Sequence, residues 1–163
     1  MAIKRTYYID APVEATWEVM TKIDDSVASD LMHVYDVHET KDGVGTNYSW
    51  DMKIAGRKIF SGFDVYTEVV PYERLVERSA GLMPGTWVTT FAAAGKGTNV
   101  TMEIHPGGLW RYPPLVQLGK LMLAGRGRQF MPLMEKKAQE IARKTAEREA
   151  HKTPRPRKTA AAH

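Results

Sequence analysis

The chain contains no cysteine, which excludes disulfide frameworks, thiolate metal sites and cysteine nucleophiles together. It has no apolar run near the roughly 18 residues that a membrane-spanning helix needs, and its first residues, Met-Ala-Ile-Lys-Arg-Thr, form no apolar signal core. A cytoplasmic location is the expectation that follows. The sequence also lacks G-x-S-x-G, G-x-x-x-x-G-K-[ST], a strand-borne G-x-G-x-x-G and H-E-x-x-H, so hydrolase-elbow, P-loop, dinucleotide and zinc-protease chemistry has no anchor here. Gly43-Val-Gly45 and Gly95-Lys-Gly97 read as hairpin turns rather than phosphate cradles.

What is present suits one soluble domain. The 163 residues are 43% hydrophobic and 26% charged, enough for a real core and too few for two comfortable ones. The net charge of +4 is unevenly placed: from Arg143 onward there are seven basic and two acidic residues, against sixteen and seventeen before it. The expectation is a nearly neutral domain over residues 1–150 and a disordered basic tail over 151–163. The tail is either a solvated solubility segment or a weak contact for an anionic membrane or nucleic acid.

Hydrophobic periodicity organises the rest. Ile3 to Ile9 alternates as a strand, Pro12 opens a helix carrying Val13, Trp17 and Met20, and Asp24-Asp25-Ser26 caps a second short helix through Asp30. From His33 the period becomes two, predicting strands His33–Thr40, Thr46–Ile54, Lys58–Val70, Arg74–Ala80, Thr86–Ala92 and Thr98–His105. From Pro113 to about Ala150 the period returns to helical, with Leu115, Leu118, Met122, Phe130, Met134, Ala138 and Ile141 on one stripe. Pro132 predicts a kink or break near Gly125-Arg126-Gly127-Arg128, either a join between two core helices or a hinge. The concave face of the preceding sheet is the surface large enough to cover such a stripe.

This order resembles the helix-grip fold of the START-like, Bet v 1-like superfamily (SRPBCC), which includes lipid-transfer domains, plant pathogenesis-related allergens and bacterial polyketide cyclase/dehydrase-like proteins. The likeness rests on Ile9-Asp-Ala-Pro-Val-Glu-Ala-Thr-Trp17, on Tyr66-Thr-Glu-Val-Val-Pro-Tyr-Glu-Arg-Leu75 and on Gly97-Thr-Asn-Val-Thr101, and spans about residues 3 to 145. The Pro106–Pro114 linker, Pro132 and the basic tail depart from it. The resemblance implies an α+β fold: a seven-stranded curved antiparallel sheet wrapped around a long, kinked C-terminal helix, with two short helices after strand 1. It implies no catalytic signature, because the shared segments are turns and core positions.

A curved sheet closed by one helix leaves a space that is either a ligand site or a filled core. The residues expected to face it are Tyr48, Trp50, Met52, Phe63, Val65, Trp87, Thr89, Phe91, Val100 and Met102 from the sheet, with Leu118, Met122 and Met134 from the helix. The corresponding function is binding of a hydrophobic small molecule, a lipid, isoprenoid or polyketide-like compound, as carrier or sensor. An enzyme of polyketide cyclase or dehydrase type would need an acid or base in that space, and Tyr48, Arg78 and His105 are the weak candidates, with Glu77 in place of Arg78 if the strand parity is reversed. A third possibility is a docking protein or homodimer using the apolar segment 115–127. No cofactor is expected, and no metal, because strand parity brings no histidines and carboxylates together.

Overall fold

The computed structural model describes residues 2–23, 32–54, 56–81 and 84–152, the side chains of 54, 122, 123, 126 and 152 excepted. Seven strands, β1 (Ile3–Ile9), β2 (Met32–His38), β3 (Asn47–Ile54), β4 (Arg57–Val70), β5 (Arg74–Gly81), β6 (Gly85–Ala94) and β7 (Gly97–Pro106), form one antiparallel sheet in the order β1-β7-β6-β5-β4-β3-β2. Helix α1 (Val13–Thr21) follows β1, and after a short 3-10 turn at Gly108–Arg111 helix α2 (Pro113–Lys152) runs over the sheet. The predicted second helix through Asp30 falls outside the described residues, as does the tail from residue 153.

The strand limits lie within two residues of those expected from periodicity, with one correction of face. A simple hairpin at Ala55-Gly56 sets Met52 opposite Ile59, Trp50 opposite Ser61 and Tyr48 opposite Phe63. The observed ladder starts with Ile54 opposite Arg57 but then bulges, so that Met52 pairs with Phe60, Trp50 with Gly62 and Tyr48 with Asp64. One extra residue turns the middle of β4 over, from Phe60 to Tyr66, and a second irregularity against β5 between Tyr66 and Glu68 returns Val69 to the core side. Phe63, expected inside, is 42% exposed, while Asp64 and Tyr66 take the inner face. Gly62 is required where it stands, because a Cβ there would collide with the Trp50 indole crossing β4.

Helix α2 also differs from expectation. It continues through Pro132 without a break at 125–128. Pro132 is exposed, so water can take the carbonyl it leaves unbonded, while Gly127, Phe130, Met131 and Met134 on the other side pack toward the sheet. The apolar stripe holds from Phe130 to Ile141 but is shifted before that: Val116 is 3% exposed and Leu118 47%. The sheet-facing positions here are Val116 and Gly119, the latter against Ile3 and Trp110, so Leu118 falls on the outer side of the helix.

The densest packing lies where β1, α1 and the second half of α2 meet. Ile9, Ala11, Ala15, Val19, Val100 and Ala138 are all at most 5% exposed. Pro12 leads into α1 with its carbonyl accepting from the Thr16 amide at 3.0 Å. The Thr98 hydroxyl donates to the Ala11 carbonyl at 2.8 Å, tying the β1–α1 join to β7.

Candidate functional site

Further along the concave face the packing opens. A cavity of about 270 Å³ lies between the sheet and the Gly127–Met134 part of α2, with Met20 of α1 and Met32 of β2 at its edges. Its walls include Tyr48, Trp50 and Met52 from β3, Leu75 from β5, Trp87, Thr89 and Phe91 from β6, and Met102 and Ile104 from β7. Helix α2 contributes Gly127, Phe130, Met131 and Met134, and the Tyr7 ring of β1 occupies the place a Cβ on Gly127 would take. The glycine therefore sets how closely the helix approaches the sheet here.

Several polar groups converge on this apolar space. Asp64 is fully engaged: Trp50 Nε1 donates to its Oδ2 at 2.8 Å, and the Ser79 hydroxyl donates to its Oδ1. Glu77 on the neighbouring strand accepts from the Tyr48 hydroxyl through Oε1 at 3.0 Å, and its second oxygen has no partner among the described residues. The Trp87 indole N–H is buried with no acceptor among the described residues. Glu77 and Trp87 are direct partners in the β5–β6 ladder and both face the cavity.

Burial shapes the protonation of this group. Taken out of water, and next to the Asp64 carboxylate, Glu77 is pushed up to about 7, against which the Tyr48 hydrogen bond works. Burial also raises Asp64, with the Ser79 and Trp50 bonds holding it back. Tyr48 is raised well above the ordinary phenol value by burial and by the two nearby carboxylates, so it acts as a hydrogen-bond donor and not as a phenolate. The cavity thus holds two carboxyls that burial raises, of which Glu77 titrates near neutrality.

Of the residues expected to face the space, Tyr48, Trp50, Met52, Trp87, Thr89, Phe91, Met102 and Met134 lie in the cavity wall. Phe63 and Val65 do not, because of the β4 bulge. Val100 is 0% exposed in the solid core beside the cavity. Leu118 lies outside the wall for the reason given above, and the Met122 side chain is outside those described. Arg78 is exposed and pairs with Val65 on the outer face, where it cannot reach a molecule in the cavity. His105 is likewise on the outer face, in an exposed ion pair with Glu103 at 2.9 Å. In place of these two, the structure brings in Asp64, Glu77 and Ser79. Glu77 follows from β5 parity alone, whereas Asp64 depends on a bulge that leaves no mark in hydrophobic pattern.

Other openings are smaller or more polar. A groove of about 870 Å³ between α1 and the last turns of α2 has Glu14, Glu18, Lys22 and Glu149 in its walls, a poor exchange for an apolar ligand. Leu118 and Leu121 of the 115–127 segment are 47% and 72% exposed. Among the described residues no helix is long and apolar enough to cross a membrane, and no three His, Asp or Glu side chains are grouped to hold a metal.

No protein-family model and no curated protein matches the sequence. Solved structures do match. CV1439 from Chromobacterium violaceum aligns at TM-score 0.61 and 20% identity, over 82% of this chain and 97% of its own. Ara h 8.0201 aligns at TM-score 0.65 and 10% identity, over 86% and 98%. The di-domain ARO/CYC BexL from the BE-7585A biosynthetic pathway aligns at TM-score 0.62 and 17% identity, over 85% of this chain and 50% of that one. These likenesses show the fold: the chain shares with these structures a curved seven-stranded antiparallel sheet closed by a long C-terminal helix, the helix-grip architecture.

Proposed function

We propose that this protein binds a hydrophobic small molecule, a lipid, isoprenoid or polyketide-like compound, between its sheet and α2, as a carrier or sensor. The observation that carries the reading is the cavity itself. Its walls are mostly aromatic, methionine and aliphatic side chains, with a few polar groups converging on one region, the usual composition of a small-molecule site. The comparison with BexL, described as an ARO/CYC of a biosynthetic pathway, supports a polyketide-like compound among the three classes.

One observation favours a second reading, in which the bound compound is also converted. A carboxyl that titrates near 7 in an apolar site is suited to give or take a proton at a ligand carbonyl. Tyr48, hydrogen-bonded to it, is the only one of the three earlier acid–base candidates that shares the cavity.

Native mass spectrometry of the freshly purified protein, with Nile red titration followed through Trp50 and Trp87 emission, tests both readings. Binding is expected as a resident adduct, as saturable energy transfer to the dye, or as both. An extracted compound that keeps its mass after incubation with the protein supports a carrier, and one whose mass changes supports an enzyme. A bare protein mass together with no dye binding overturns both.

A further inference from the structure

Two polar atoms of the cavity wall are left over when the protein's own hydrogen bonds are assigned. One is the second oxygen of Glu77, Oε2, to which no described side chain donates; the other is the Trp87 indole N–H, buried without an acceptor among the described residues. They belong to residues directly opposite each other on adjacent strands, on the same inward face. Side chains so paired start only about 5 Å apart at Cβ. A buried donor with no acceptor is costly and uncommon, so each such atom calls for an explanation.

We propose that the hydrophobic ligand carries a hydroxyl, as an alcohol or a phenol, which donates its proton to Glu77 Oε2 and accepts the Trp87 N–H on its oxygen. The inference rests on the cavity reading above and narrows it to a ligand class. A hydroxyl is the small group that both donates and accepts. It also suits Glu77 in either ionisation state, accepting from the carboxylic acid or donating to the carboxylate.

Other head groups fit less well. A carboxylate adds a third negative group beside Asp64 and Glu77, and among the described wall residues only Arg5 is basic. An ammonium satisfies Glu77 but leaves the Trp87 N–H unpaired. An ether or ketone accepts from Trp87 and gives nothing to the Glu77 carboxylate. Asp64 is less open to the ligand than Glu77, because Trp50 and Ser79 each already donate to one of its oxygens.

The test is displacement of Nile red from the full chain by four probes that share a ten-carbon chain: decanol, decyl methyl ether, decanoate and decylammonium. Decanol is expected to displace the dye at about tenfold lower concentration than the ether, the worth of one hydrogen bond to a charged or partly charged group, with decanoate weakest. Trp87→Phe is expected to weaken decanol and ether alike, because both accept from the N–H. Glu77→Met is expected to abolish the preference for decanol over the ether. The wild-type ratio decides even if a variant does not fold. A ratio near one, tightest binding by decylammonium or decanoate, or dye binding that no probe displaces overturns the hydroxyl assignment and leaves the cavity reading standing. If Nile red itself does not bind, the cavity reading falls and this inference with it.

Discussion

Where β1, α1 and the second half of α2 meet, Ile9, Val100 and Ala138 are 1%, 0% and 1% exposed, and the hydroxyls of Thr16 and Thr98 both donate to the Ala11 carbonyl. A few residues away on the same sheet face, the Trp87 N–H has no partner among the described residues and the side chains enclose about 270 Å³ of space. The same curvature and the same helix produce both regions. What differs is the size of the helix residues facing the sheet and the presence of carboxylates among its inward positions. The packed end is complete without a ligand, as protein interiors usually are. The cavity end is complete only when something else supplies atoms and hydrogen bonds.

The contrast breaks most visibly if the packed end is damaged. Ile9→Ala removes a fully buried side chain from a region with no spare room, and is expected to lower the unfolding free energy by about 3 kcal/mol. Chemical denaturation measures that loss. Nile red affinity of the fraction still folded should stay within about twofold, since Ile9 is not in the cavity wall. A folded variant that no longer binds the dye would mean that the two ends are one unit.

At the cavity end the expected sign is opposite. Glu77 titrates near 7 in the folded chain against an ordinary 4.5, so its proton is held more tightly folded than unfolded. Below pH 4.5 it is protonated in both states and costs nothing through this linkage. As the pH rises through 4.5 to 7 the unfolded chain gains the charge first, and stability falls to a plateau above 7. At about 1.4 kcal/mol per unit the full penalty is about 3 kcal/mol. Glu77→Gln keeps an oxygen to accept from Tyr48 and removes the charge. It is expected to be more stable than the parent at pH 8, by as much as about 2 to 3 kcal/mol, and to lose that advantage by pH 4.5. An equal difference at the two pH values would show that Glu77 is solvated and that the cavity end is not the strained one.

The two ends were unequally legible in the sequence. The packed end follows from alternation and from the Asp-Ala-Pro join, because apolar side chains placed by a strict period must be covered. The cavity was legible from β3, β6 and β7, whose inward residues Trp50, Phe91 and Met102 follow simple parity. Its polar floor was legible only in part: Tyr48 and Glu77 follow from parity and Asp64 does not. The β3–β4 bulge that brings in Asp64 is a property of pairing between strands, and either parity of β4 carries apolar residues, Ile59, Phe63 and Val65 on one side, Phe60 and Tyr66 on the other. Cross-strand consistency would have exposed the choice only if the hairpin register had been known. The helix break expected from Pro132 failed for a related reason. Local propensity is outweighed where one side of the helix is held by tertiary contacts and the proline lies on the other.

The smallest effect sharpens the boundary between sealing and filling. Gly125 and Gly127 are two residues apart on one helix, and each weakens it by about 1 kcal/mol relative to alanine. A Cβ on Gly125 meets nothing within 4 Å, so Gly125→Ala is expected to raise stability by about 0.5 to 1 kcal/mol and leave dye binding unchanged. A Cβ on Gly127 lands on the Tyr7 ring, a wall of the cavity. Gly127→Ala gains the same helix propensity but must displace that ring, so its net stability change is expected to be near zero and its Nile red affinity several-fold weaker. Thermal melts and dye titrations of the two variants side by side measure both differences. If the two behave alike, Tyr7 gives way freely and Gly127 does not fix the helix over the cavity. If they diverge as expected, one methyl group at the sheet-facing position alters binding while the same methyl two residues earlier alters only the helix.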